Sequence, residues 1–183
     1  MKSLTLRGSQ YILTLALGAA LLLAATPGWA QPKLKYSYRD PGGLSKYTQQ
    51  HVIDVADVPG HQIRVASLHT KYASDAPEYD GIKVVESMAS ITSDYVSGSG
   101  RFTQYAVLQM ANGDKVYSRV DGITQTMVAT DGTKKSSFTT VSTVTGGTGK
   151  FATLRGSLRG TGNTDFKTGT SGNVTEGEYW FEK

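Results

Sequence analysis

The sequence predicts an all-β protein, a single closed antiparallel barrel of eight strands behind an export signal. Three observations predict it. From residue 51 onward, runs rich in Val, Ile, Thr and Tyr alternate with Gly-containing turn dipeptides. No dozen-residue window of that part keeps the 3.6-residue apolar period of a helix. The whole chain has 183 residues, enough for one core and hardly for two. A sheet of about eight strands tends to curl and join its ends, because free edges are sites for unwanted pairing.

Residues 1–30 read as a secretory signal peptide. Lys2 and Arg7 give a basic start, residues 11–25 are almost wholly apolar, and Gly28 and Ala30 occupy the −3 and −1 places of a cleavage site after Ala30. The apolar run is shorter than the ~20 residues of a spanning helix. The expected product is exported, periplasmic or secreted, with no membrane anchor after cleavage. Residues 31–50 are polar and carry Pro32, Pro41 and Gly42-Gly43. They read as an N-terminal arm whose one pairing segment would be residues 33–38.

The barrel is expected over residues 51–183. Residues 51–57 and 62–72 are strands around Pro59-Gly60, and a looser loop follows through Pro77 to Asp80-Gly81. Residues 82–96 and 101–111 flank Ser97-Gly98-Ser99-Gly100, and residues 114–130 follow Asn112-Gly113. After Asp131-Gly132 come residues 138–145, 151–158, 165–168 and 178–182. If Asn112-Gly113 is a two-residue loop, Ala111 pairs with Asp114, Leu108 with Tyr117 and Tyr105 with Val120. One face then carries Tyr105, Val107, Gln109, Val116, Ser118 and Val120. The other carries Ala106, Leu108, Met110, Lys115, Tyr117 and Arg119. Neither face is wholly polar. Such mixing suits a barrel with a partly polar lumen, or a subunit whose outer face packs on a neighbour, and does not separate the two.

Composition and motifs exclude several function classes. The chain has no cysteine, hence no disulfide, thiolate metal site or cysteine nucleophile. Its net charge of +4 comes without a Lys/Arg block, which argues against nucleic acid as a partner. Gly146-Gly147-Thr148-Gly149-Lys150 imitates a phosphate loop, but Phe151 stands where a magnesium-binding hydroxyl is needed. It reads as a tight turn entering a strand. His51, His61 and His69 cannot meet within one hairpin closed at Pro59-Gly60, so no metal is expected. Gly98-Ser99-Gly100 lacks the outer residues of a nucleophile elbow. What remains is a set of charged and aromatic residues borne on strands: Glu86, Tyr105, Tyr117, Arg119, Arg155, Glu178 and Trp180. These are the candidate lumen residues. No catalytic residue is assigned.

Residues 146–156, GGTGKFATLRG, resemble the Gly-Gly-Thr-Gly-x-Phe/Tyr-x-x-x-x-Gly stretch of the allene oxide cyclase and dirigent-like barrels. Asp94-Tyr95, Gly98, Gly100 and Asn112-Gly113-Asp114-Lys115-Val116 look like the paired central strands and turn of that superfamily. The chain is thus similar to an exported bacterial member ending in Gly177-Glu178-Tyr179-Trp180. The resemblance spans about residues 51–183 and rests on turns and glycines, which speak for fold before chemistry. It implies an eight-stranded barrel with a largely apolar cavity, no cofactor, and assembly as dimers or trimers. The cyclases steer ring closure of a fatty-acid epoxide and the dirigent proteins steer coupling of phenol radicals. The cavity cysteine of the cyclases has no counterpart here.

Three functions follow as expectations: an exported barrel that binds a small apolar or aromatic molecule in its lumen, a cofactor-free cyclase or isomerase on a lipid- or phenol-derived substrate, and a structural or host-interaction module. Whether the protein is an enzyme stays open at this level.

Overall fold

Ten strands, all antiparallel to their neighbours, make up the structure, a computed structural model that describes residues 31–42, 44–165 and 170–183. They are β1 (Leu34–Asp40), β2 (Ser45–Asp54), β3 (His61–Lys71), β4 (Glu78–Tyr79), β5 (Ile82–Val96), β6 (Ser99–Met110), β7 (Lys115–Val128), β8 (Lys134–Gly147), β9 (Leu154–Asp165) and β10 (Thr170–Phe181). One 3-10 turn, Gly149–Phe151, joins β8 to β9, and no α-helix occurs among the described residues. The expected signal peptide, residues 1–30, lies outside the described residues. Among those described, no helix is long and apolar enough to cross a membrane.

The hydrogen-bonded order is β1-β10-β9-β8-β7-β6-β5-β3-β2, with β4 paired to β5 alone. This corrects the expected eight-stranded closed barrel: among the described residues no ladder joins the edges β1 and β2. The origin lies in residues 31–50, expected as an arm. Their first half pairs with β10, Leu34 opposite Tyr179 through Asp40 opposite Asn173. Their second half opens β2, which pairs with β3 from Ser45 opposite Thr70. Following the antiparallel order round the sheet shows that β1 and β2 run in the same direction. The chain therefore steps from one edge to the other between Asp40 and Ser45 without reversing, and the two cannot form a hairpin.

Ring contacts instead tie the β1 edge to β4 and to the segment after β3. Tyr36 of β1 stacks on Tyr79 at 4.9 Å, and Tyr38 meets Tyr72 edge-on at 6.1 Å. The Tyr179 ring contacts Tyr79, and its hydroxyl accepts a hydrogen bond from the Asp80 amide at 2.9 Å.

Turn chemistry sets the register. Ser97-Gly98 and Asp80-Gly81 are two-residue loops with both residues at positive φ (51° and 84°, 48° and 76°), as type I′ turns require. Asn112-Gly113 differs. The Met110 amide bonds to the Asp114 carbonyl and the Gly113 amide to the Met110 carbonyl, so the loop is Ala111-Asn112-Gly113, with Gly113 at φ 88°. Ala129 to Thr133 repeat the same bonds, with Gly132 at φ 80°. The extra loop residue pairs Leu108 with Val116 and Tyr105 with Arg119, one place from the expected register. A slip of one residue turns a whole strand over. The corrected inner set is Phe102, Gln104, Ala106, Leu108 and Met110 with Val116, Ser118 and Val120. The outer set is Tyr105, Val107 and Gln109 with Lys115, Tyr117 and Arg119. The hairpin expected at Pro59-Gly60 is corrected too: its loop runs from Val55 to Gly60, and His51 pairs with Val65.

The core fills one end of the curled sheet. Phe151, Leu154, Met110, Val84, Val116 and Val144 are buried there, under Tyr36, Tyr79 and Tyr179. Burying side chains of this size contributes about 1.5–3 kcal/mol each. The Gly146–Lys150 stretch serves this end. Thr148 Oγ1 accepts from the Lys115 amide at 2.9 Å, and the Lys150 amide donates to Asp114 at 3.1 Å. Gly149 sits at φ 51°, and a Cβ there would lie 2.1 Å from an Asp114 oxygen, so a larger residue would be strained and would displace the Asp114 carboxylate. The clasp delivers Phe151 into the core.

Candidate functional site

The other half of the interior is hollow. A cavity of about 480 Å³ is lined from β1 through β10 by inward-facing residues, within the ~300–1,000 Å³ of small-molecule sites. Leu68, Ala89, Ile91, Phe102, Val120 and Phe138 supply apolar surface. Ser45, Thr70, Ser87, Gln104, Thr124, Thr140, Ser142, Thr164, Asn173 and Thr175 supply hydroxyl and amide groups. Two charged residues share the lining, Asp40 and Arg64. Tyr47, another lining residue, is 53% exposed, so the cavity opens to solvent beside it.

Glycines on neighbouring strands lay the aromatic walls flat. Phe102 lies over Gly122, where a Cβ would come within 2.4 Å of the ring, and Phe138 lies over Gly162, where the distance would be 2.2 Å. Tyr95 crosses Gly100 in the same way, and its hydroxyl reaches Thr124 Oγ1 at 2.9 Å. Several wall hydroxyls bond to each other: Ser45 with Thr70 at 2.7 Å and Thr126 with Ser136 at 2.6 Å. Asp40 accepts from the Gly42 amide at 2.8 Å and from Asn173 Nδ2 at 3.4 Å. Arg64 lies between two rings, 5.3 Å from the Tyr47 centroid and 5.9 Å from that of Tyr95.

The floor of the cavity meets the tyrosine seam. Burial raises the phenol pKa of Tyr36, Tyr79 and Tyr72, because the ionised form loses its hydration. Burial, aided by the charge of Asp40, pushes Tyr38 up to about 12. These groups are neutral at physiological pH; Tyr72 lines the cavity, and the Tyr38 hydroxyl is buried without a partner among the described residues.

All seven candidate lumen residues lie on the outer face, which corrects that expectation. Arg119 stands over Tyr105 at 5.9 Å and pairs with Asp121 at 3.1 Å. Tyr117 sits opposite Val107 in the outer row. A bulge between Val84 and Glu86 turns Glu86 outward, where it pairs with His69 at 2.9 Å. Arg155 alternates with buried Leu154 and Gly156 and pairs with Glu182 at 2.9 Å. Glu178 pairs with Lys33 at 3.1 Å, and Lys33 also lies 5.5 Å from the Trp180 ring. Glu178 and Trp180 border an outer hollow of about 830 Å³. That hollow is the larger one, but it lies on the convex face, and its Lys33–Glu178 pair is satisfied internally. The interior cavity is the better enclosed site.

The residues that do line the cavity carried a signal in the sequence. Phe102 and Phe138 share a phase with small and apolar residues, and glycines recur at strand centres where they weaken a strand unless a ring covers them. Arg64 falls in phase with Ala66, Leu68 and Thr70, a charge within a buried-face pattern.

No protein-family model matches this chain, and no curated protein matches it. Among solved structures, the pterocarpan synthase dirigent protein PsPTS1 matches with 15% sequence identity over 85% of this chain and 97% of its own, at a TM-score of 0.42. At that identity and score the likeness carries no residue-by-residue correspondence.

Proposed function

We propose that this protein is an exported binder of a small, largely apolar molecule held in the interior cavity. The observation that carries the reading is the cavity itself: about 480 Å³, with aliphatic and aromatic walls interrupted by hydroxyls and opening to solvent beside Tyr47. Apolar walls supply affinity in such a site, and a few placed polar groups fix orientation. Export rests on the basic, apolar and small-residue pattern of residues 1–30. A cyclase would need a carboxylate and a cation converging on substrate. Asp40 and Arg64 both line the cavity, but Asp40 is bound to Gly42 and Asn173 while Arg64 is held by ring faces. Binding therefore stands first.

Thermal-shift and native mass spectrometry across monophenols and medium-chain lipids test this. A ligand at a hundred times its Kd should raise the Tm by about 5–10 °C. Ala89→Trp, which fills the cavity from β5, should abolish that shift while keeping the β-sheet circular dichroism. A panel without any binder, or a variant that binds as well as the parent, would refute the reading.

A further inference from the structure

We infer that the cavity's ligand carries a carboxylate, received by Arg64. The inference rests on the binding reading above and names the chemistry of its ligand.

Arginine keeps its charge in any protein environment, and its guanidinium edge presents five N–H donors. Among the described residues, no carboxylate lies within ion-pair distance of Arg64, and its guanidinium donates no hydrogen bond. The neighbouring acids are engaged elsewhere. Asp94 receives His61 at 2.8 Å on the outer face, and Asp54 receives the Gln62 amide at 2.9 Å. Arg119 and Arg155 have acidic partners on the outer face, while Arg39, Arg101 and Arg159 lie exposed without one among the described residues; of the described arginines Arg64 is the one that lines the interior cavity. Arg64 is also held in place. Its guanidinium carbon lies over the rings of Tyr47 and Tyr95, and Tyr95 is fixed by its bond to Thr124 across Gly100. A cation over a ring is attracted through its charge and uses none of its N–H donors in a hydrogen bond. Ser93, opposite Arg64 in register, is buried with a hydroxyl that has no partner among the described residues. The other charged lining residue, Asp40, is engaged by Gly42 and Asn173, so a cation with unused donors remains in the cavity; it is matched by a planar carboxylate, which the guanidinium fork binds in two places. The apolar body of the ligand would then lie on Ile91, Phe102 and Phe138.

Paired probes separate this inference from the reading beneath it. The test measures binding of 2-naphthoate and of 2-naphthamide, which share one body and differ in charge. The parent protein should bind naphthoate more tightly, and added salt should weaken naphthoate alone. Arg64→Gln should weaken naphthoate about ten- to a hundredfold and leave naphthamide within about twofold, which also reports that the cavity is intact. Arg64→Lys, keeping the charge without the fork, should recover only part of the loss. If naphthamide binds as well as naphthoate and neither responds to Arg64→Gln, the carboxylate inference fails and cavity binding survives. If neither probe binds, both fail. Should the variants not fold, equal salt response of the two probes on the parent protein is enough to overturn the inference.

Discussion

His61 shows how much one residue can connect. Its Nδ1 meets Asp57 at 2.5 Å and its Nε2 meets Asp94 at 2.8 Å, tying the loop after β2 to β5. With a carboxylate at each nitrogen, both ring positions act as donors, so the imidazolium is the favoured form. Donating to Asp94 and Asp57 raises the His61 pKa, and accepting from His61 lowers that of Asp57. The signs set a window. The His61 contribution is complete below its unfolded value of about 6.5 and is lost as pH rises through the higher folded value. The Asp57 contribution is complete above its unfolded value near 3.9 and is lost as pH falls through the lower folded one. We expect the urea midpoint of the parent to exceed that of His61→Gln at about pH 6, and the gap to narrow by about pH 9. An NMR titration of His61 below the ordinary histidine value would contradict this.

At the scale of the element, the β6–β7 hairpin is the instructive case. A two-residue Asn-Gly loop is the commoner expectation, and Asp80-Gly81 does form one. Here the two-residue register would have put Tyr117 and Arg119 on the face of Leu108 and Met110. The three-residue loop puts Val116 and Val120 there, and burial of those side chains outweighs the small difference between turn types. Asn112 supports it by accepting from the Asp114 amide at 3.1 Å. Gly113 sits at φ 88° with open space around its Cβ position. Gly113→Ala should therefore cost only backbone strain, about 1–2 kcal/mol by urea unfolding. A loss well above that would mean that the loop is packed against something.

At the scale of the whole molecule, stability depends on a seam without a ladder. Backbone pairing holds the other junctions of the sheet, whereas β1 is tied on its open side by ring contacts, Tyr36 to Tyr79 of β4 and Tyr38 to Tyr72 just after β3. These phenols have raised pKa values, so their contribution is complete below the unfolded value of about 10 and fades as pH climbs toward the folded ones. Alkaline unfolding should begin above about pH 10, with tyrosinate absorbance and loss of near-UV circular dichroism appearing together. Smooth ionisation of every tyrosine with the sheet intact would show that the seam is open to water.

The sequence by itself determined that the chain is β throughout, where most turns fall, and that Gly146–Phe151 is a structural turn. Those properties are local: β-branched runs, positive-φ glycines and the absence of a helical period are written in neighbouring residues. It did not determine which way each strand faces, because that depends on one loop residue at Gly113 and one bulge at Glu86. Nor did it show that residues 31–50 serve both edges, since polar strands gain their stability from partners far along the chain. The site followed the same division. Charged residues such as Arg119 and Glu178 stand out in the sequence and turn out to be paired on the surface. Only the tertiary structure brought Arg64, Tyr47 and Tyr95 together around a hollow, because contacts between β2, β3 and β5 exist only once the sheet has curled.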